Sequence, residues 1–436
     1  NSVISGNLSE SFYVNESYNN TRINIYNSLI EGGESSVNSN DDGSGYTYDL
    51  NWDSSNLTSY PYFSDPDNGD YSLSSYSPMI GAGAMSVTID GVTYEAPDTD
   101  ILGNARPSPS GTSPDIGAYE SSESAADYNP HKYVATNGNN GNSGVLTDPF
   151  LTIQYAIDQA IDDDFIHVAA GTYVENIDYD GKNISIIGED RETTIIDGNQ
   201  NGPVVDCYFN NMYFTPVLQS VTLTNGVGIN FESNILGGGI FARYSNPQLN
   251  DVMITNCSAN LGSAIYTYNP ATSDITTIKN CVITGNTAGA NDGTIHATTS
   301  NIKIVSSLIS DNSSGGGLFF DGIDVSSQVI NSSIINNANN MGVMLQGGTN
   351  TIINSIISGN ESTQLRILSS CNLTVEYSDI DGGQDSVLVE GNAVLNWGSG
   401  NIDVNPMFAD TANGNYHLLA SSQLINAGHP DSTDSD

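Results

Sequence analysis

Asp65-Pro66-Asp67-Asn68-Gly69-Asp70 sets three carboxylates around a glycine turn. Hard oxygen ligands gathered by a tight turn suit Ca²⁺, although the full loop of an EF-hand is absent. Asp431, Asp434 and Asp436, spaced by Ser and Thr, form a second candidate set for the same ion, with a solvated acidic tail as the competing reading. The later segment Asp410-Thr411-Ala412-Asn413-Gly414-Asn415 matches the first cluster but has lost two of its three carboxylates, which favours a plain turn there. Ca²⁺ is the only cofactor these residues suggest.

Groups able to act as acids, bases or nucleophiles are sparse. The cations Arg191, Arg243, Lys279, Lys303 and Arg366 lie far apart in sequence, as do His131, His167, His296, His417 and His429. Lys303 and His167 each alternate with apolar neighbours, the pattern of a surface-facing strand residue. Cys207, Cys257, Cys281 and Cys371 lack the close pairs of a zinc site and read as buried thiols.

The 436 residues carry 9 Lys+Arg against 50 Asp+Glu, a net charge of −41. Such a chain repels nucleic acid, whose phosphates basic groups must neutralise, and anionic membrane surfaces for the same reason. Its 23 Tyr and 11 Phe separate it from disordered acidic proteins. No apolar run approaches the length of a spanning helix. The start at Asn1, without an initiator Met or an apolar leader, reads as a piece of a longer chain.

What could position these groups is a repeat. Thr194-Ile195-Ile196-Asp197-Gly198, Val221-Thr222-Leu223-Thr224-Asn225, Val252-Met253-Ile254-Thr255-Asn256, Val282-Ile283-Thr284-Gly285-Asn286, Leu308-Ile309-Ser310-Asp311-Asn312, Ile334-Ile335-Asn336-Asn337 and Ile356-Ile357-Ser358-Gly359-Asn360 share one phrase. With the second apolar residue as marker, from Ile196 to Ile335 and Ile357, the steps are 27, 31, 29, 26, 26 and 22 residues. A β-branched run ending in Asn, Asp or Gly is a strand entering a left-handed turn. Steps of this size predict one coil each of a parallel solenoid, with apolar residues lining up inside and Asn side chains stacking at equivalent turns. A glycine-led phrase lies between successive copies: Gly238-Gly239-Ile240-Phe241, Gly262-Ser263-Ala264-Ile265-Tyr266, Gly293-Thr294-Ile295, Gly316-Gly317-Leu318-Phe319 and Gly342-Val343. It predicts a further strand of the same coil, entered where backbones approach closely. Cys257 and Cys281 then lie too far apart along the coil to be bonded.

These alternating phrases resemble the right-handed parallel β-helix proteins of the pectate-lyase-like superfamily, most of all bacterial surface and secreted repeat proteins, including the polymorphic outer-membrane adhesins. The opening Tyr133-Val134-Ala135-Thr136-Asn137-Gly138 and Pro149-Phe150-Leu151-Thr152-Ile153 is similar to the capping helix and first coils of that family. Pro149 and the spacing of Phe150, Ile153, Ile157 and Ile161 agree with a helix over about 148–161. Asp115-Ile116-Gly117-Ala118-Tyr119-Glu120 resembles the end of choice-of-anchor Q segments. Most enzymes of the superfamily act on polysaccharides, yet the Asn-Thr-Asp, Asp-Asp, Gly-His-Gly and Arg-Ile-Lys series of polygalacturonases is missing.

The chain repeats itself at long range. Asn354–Asn360 matches Asn1–Asn7 at an offset of 353, and Trp397, Phe408 and Leu424–Gly428 match Trp52, Phe63 and Met79–Gly83 at 345. The expected fold is therefore all-β, a right-handed parallel β-helix (solenoid) in tandem units. Residues 1–120 read as the C-terminal coils and closing segment of a first unit, 121–130 as a linker, and 131–436 as a second unit. The second unit would hold the capping helix, coils over about 165–400 and an incomplete closing segment. The expected function is a non-catalytic structural or adhesive module of a large secreted or cell-surface protein: an adhesin, stalk or extracellular fibre. Other copies or units of the same protein, or surface glycans, would be its partners. A polysaccharide lyase or hydrolase on the same scaffold is the alternative.

Overall fold

The computed structural model describes residues 1–4, 12–15, 21–30, 37–40, 48–58, 61–66, 69–126, 129–210, 213–231, 233–270, 274–290, 292–338, 341–361 and 363–429. The chain divides into two compact units, Asn1–Pro130 and His131–Asp436.

In the second unit, short β-branched runs separated by left-handed turns cannot pair with their immediate neighbours, so each strand pairs one coil further on. Ser326–Ile330, Ser333–Ile335 and Met341–Gln346 make up one coil, and Thr349–Ile353 begins the next beside Ser326–Ile330. Repetition builds three parallel sheets of eleven, nine and nine strands. The protein is thus an all-β, right-handed parallel β-helix, with the connection sense that parallel crossovers take.

The core is a set of columns. Ile254, Ile283, Ile309, Ile334 and Ile357 stand in register on the second sheet and are fully buried. This register corrects the repeat reading at one point: Ile334, not Ile335, occupies the column, so the steps are 27, 31, 29, 26, 25 and 23. Both isoleucines are buried, and two adjacent apolar residues leave a period-2 pattern ambiguous by one position.

Two polar ladders run through the corners of the coil. Between the second and third sheets, Asn286, Asn312, Asn337 and Asn360 are buried, and each passes its Nδ2 to the Oδ1 of the next or, for Asn360, to Gln364. Asn225 and Asn256, which end the same phrase, do not belong to this ladder. They hold the preceding left-handed position (φ 58° and 54°), the place of Gly285, Asp311, Asn336 and Gly359 in later coils. One residue type serves two positions because Asn both tolerates positive φ and bonds backbone groups. At the corner between the first and second sheets, Ser307, Ser332, Ser355 and Ser378 are buried, each Oγ accepting from the N–H one coil earlier. The glycine-led phrase enters the third sheet, where a side chain at Gly239 or Gly317 would strike the Ile254 or Ile334 methyl groups and the next coil's backbone.

The capping helix is shorter than expected, Ile153–Gln159. Phe150 is not on it: its N–H donates to Tyr133 O and its carbonyl accepts from Ala135, which commits its backbone to the sheet edge. The helix starts at Thr152, whose side chain accepts from the Tyr155 N–H, and buries Ile153, Ala156 and Ile157. Glu175 closes its N-terminus, accepting from Ile153 N and Gln154 N at 3.0 and 2.9 Å. All four cysteines are buried and unbonded.

The first unit shows parallel pairs Val3–Ile4 with Leu29–Ile30, Phe12–Asn15 with Val37–Asn40, and Thr21–Ile25 with Tyr48–Trp52. Both units end alike. The Ser2 N–H donates to Ser28 Oγ and that of Ser28 to Asn56 Oδ1; Ser355, Ser378 and Asn401 repeat the series. Asn1 Oδ1 accepts from Ala84 N, and Asn354 Oδ1 accepts from His429 N. The hairpin Phe63–Asp65/Asp70–Leu73 has its counterpart in Phe408–Asp410/Asn415–Leu418, with the same irregularity and the same edge-on ring pair at 5.3 Å.

Candidate functional site

Inward residues of the third sheet alternate with outward ones, and the outward ones gather chemistry that is scattered in sequence. Register stacks Phe241, Tyr266, His296 and Phe319 in one column, and Tyr208, Arg243, Tyr268 and Thr298 in the next. Phe241 and Tyr266 lie parallel at 6.0 Å, Tyr266 and His296 are 5.4 Å apart, and Phe319 meets His296 edge-on at 4.8 Å.

A hairpin, Ile229–Phe231 with Asn234–Leu236, accounts for the longest step of the repeat and packs a satellite core of Leu236, Phe241 and Tyr266 outside the solenoid. It also brings Phe231 to Arg243. The guanidinium carbon sits 4.3 Å from the Phe231 ring centre, 5.0 Å from Tyr268, 5.2 Å from Tyr244 and 5.7 Å from Tyr208. Each face-on contact of this kind contributes roughly 0.5–1 kcal/mol where exposed and more where dry. Tyr213, largely exposed, meets Tyr244 edge-on at 5.6 Å and extends the face outward.

Beside the rings runs a hydrogen-bonded chain. Asp292 Oδ1 accepts from Gly262 N and Gly293 N, and its carboxylate lies 2.8 Å from His296 Nδ1. His296 Nε2 lies 2.8 Å from Thr298 Oγ1. The carboxylate orients the imidazole with Nδ1 protonated, which turns Nε2 toward the Thr298 hydroxyl. Burial raises the Tyr266 hydroxyl above its ordinary range, opposed by its bond to Thr298 and by the Arg243 charge. The arrangement offers flat amphipathic rings, one fixed cation and an aligned acid–imidazole–hydroxyl series.

A concavity of about 760 Å³ lies where the closing hairpin returns onto the coils. Tyr416 Oη donates to Asp311 at 2.7 Å and accepts from Asn336 Nδ2 at 3.0 Å, while Arg191 spans Asp251 and the Asn280 carbonyl. Burial, then Asp311, pushes the Tyr416 hydroxyl up to about 12.

Of the six carboxylates read as Ca²⁺ ligands, Asp67, Asp431, Asp434 and Asp436 lie outside the described residues. Asp65 and Asp70 are exposed cross-strand partners, and the Ser72 hydroxyl, then the Ser72 N–H, hold the Asp70 carboxyl below its usual range. Among the described residues no three His, Cys, Asp or Glu side chains group as metal ligands do.

The other cations are tied locally: Arg366 to Glu390 at 2.7 Å and Arg191 to Asp251 at 3.0 Å. Lys303 stands between Thr277 and Gln328 of adjacent coils. The histidines that look isolated in sequence do form contacts, His296 with Asp292 and His131 with His167. The missed signal was an aromatic or His after the entry Ile or Leu in four successive glycine-led phrases, at Phe241, Tyr266, His296 and Phe319.

No family model matches the chain, and no curated protein matches it. Solved structures do. The complex of XylC with xylose is 12% identical over 62% of this chain and 68% of its own, with a TM-score of 0.38. Pectin methylesterase PemA from Erwinia chrysanthemi is 12% identical (61% and 89% covered, TM-score 0.32). Pectate lyase Pel9A is 15% identical (70% and 92% covered, TM-score 0.32). None is similar enough for its activity or site residues to bear on this chain.

Proposed function

We propose that this chain is a non-catalytic adhesive module of a secreted or cell-surface protein, and that it holds surface glycans on the aromatic face around Arg243. The carrying observation is the cage of Phe231, Tyr208, Tyr244 and Tyr268 about Arg243. Rings held by the folded coils present amphipathic area at little entropic cost. Sugars offer the matching surface of C–H faces edged by hydroxyls. A framework of stacked coils and buried ladders suits a load-bearing module.

A second reading, a carbohydrate-active enzyme on the same scaffold, draws on the Asp292–His296–Thr298 series. One experiment separates them: a panel of immobilised glycans and insoluble polysaccharides is incubated with the chain and with Tyr268→Ala and Arg243→Gln, and both retention and released products are measured. Retention without product, lost in both variants, is expected. Product formation lost in His296→Gln would establish the enzyme. Retention that is unchanged in both face variants would remove this face from the reading.

A further inference from the structure

The face around Arg243 is left with one unanswered charge. The protein carries 50 Asp+Glu against 9 Lys+Arg, so a cation has an acid within reach almost wherever it stands. Arg22, Arg106, Lys132, Arg191 and Arg366 each pair with a carboxylate. Arg243 does not. Its half-buried guanidinium has four aromatic rings within 5.7 Å, and among the described residues no carboxylate or other acceptor answers its N–H donors. Its nitrogens, unbonded, are not sealed from solvent. The rings therefore fix the side chain without neutralising it.

From this geometry we infer that Arg243 anchors a single sugar carboxylate, and that the glycan held on this face is a neutral chain ended by one carboxylated residue. The inference rests on the glycan-binding reading above and names its ligand class. A guanidinium is a planar fork that matches a carboxylate through two parallel N–H···O bonds, each about twice as strong as a neutral one. Because the rings hold the fork before a ligand arrives, little side-chain freedom is lost on binding. Tyr213, 45% exposed, stands against Tyr244 and offers a ring to the C–H face of the same sugar. The face admits only one such charge. In its two outward columns, from Asp206 to Phe319 and from Tyr208 to Asp321, Arg243 is the only Arg or Lys, and Asp206 and Asp321 stand at opposite ends. A polymer with a carboxylate on every residue, laid along coils that repeat at about 4.8 Å, meets those acids and finds no second cation.

The test measures binding of lactose, sialyllactose, the carboxyl amide of sialyllactose, sulfated lactose and trigalacturonate to the chain by calorimetry and saturation-transfer magnetic resonance. Salt is held at about 0.15 M, where a screening length of about 8 Å suppresses the long-range field of the acidic surface. Sialyllactose should bind roughly tenfold more tightly than lactose and than its own amide. Arg243→Gln should lose that advantage, and Arg243→Lys, which keeps the charge without the fork, should lose part of it. The comparison among sugars is made on the unaltered chain, so the test stands even if a variant misfolds. Equal binding of sialyllactose and its amide, tighter binding of trigalacturonate or of sulfated lactose, or an advantage that survives Arg243→Gln overturns the inference and leaves the glycan-binding reading in place. A chain that binds none of these sugars removes both.

Discussion

Asn312→Ala tests whether the corner ladder holds the coils together or merely fills them. The side chain is 1% exposed; its Oδ1 accepts from Asn286 N at 2.9 Å and Asn286 Nδ2 at 3.0 Å, while its Nδ2 donates to Ile283 O at 3.0 Å and Asn337 Oδ1 at 2.8 Å. Truncation strands the buried Asn286 N–H and takes a donor from the Ile283 carbonyl, whereas Asn286 Nδ2 keeps Ile254 O and Thr284 O. One orphaned buried donor costs about 1–3 kcal/mol, and the lost acceptor bond and small cavity add about 1–2 more. The expected loss is about 3–4 kcal/mol by urea unfolding followed with circular dichroism. Asn396→Ala is the control, because its Nδ2 donates to Asn372 Oδ1 at 2.7 Å between two exposed side chains. Water replaces that bond, so a cost below about 0.5 kcal/mol is expected. Equal costs for the two would refute the claim that burial, not the Asn–Asn pairing itself, gives the ladder its strength.

Cys281 begins the serine ladder, its Sγ bonding Lys279 O as Ser307 Oγ bonds Val305 O, so Cys281→Ser should change stability by less than about 1 kcal/mol in the same assay. Glu175→Ala exposes two helix N–H groups and should cost about 1–2 kcal/mol, with Glu175→Gln recovering part of it. Stability should rise as pH is lowered from 8 to 5. Burial lifts Asp206 to about 7, helped by its in-register neighbour Asp178, and lifts Asp379 to about 6. A carboxyl raised above its unfolded value stabilises fully below that value, and its contribution is lost as pH climbs through the folded one. Asp206→Asn should flatten part of this dependence, and a midpoint that falls between pH 8 and 5 would contradict it. His167, lowered in the fold, acts oppositely, its contribution being lost below its unfolded pKa.

The coil was legible because solenoid physics writes itself into the sequence: each turn must solve the same packing problem, so Ile254, Ile283, Ile309 and Ile357 recur with the same neighbours. Where the local pattern is degenerate, the sequence is ambiguous. Ile334-Ile335 offered two markers, Asn256 and Asn286 looked alike in different positions, and Phe150 had helical spacing although its backbone belonged to the sheet. The candidate site was hidden for a different reason. Arg243, Tyr268 and Thr298 lie one coil apart in space but 25 and 30 residues apart in sequence, and the hairpin at Ile229–Leu236 that closes the cage breaks the period. A solenoid turns sequence distances of one coil into side-chain contacts of a few ångströms. Scattered single histidines or arginines in such a chain are therefore to be compared after folding the sequence modulo its own step: on that count His131 and His167 are neighbours, Asp178 and Asp206 are neighbours, and neither pair has a local motif.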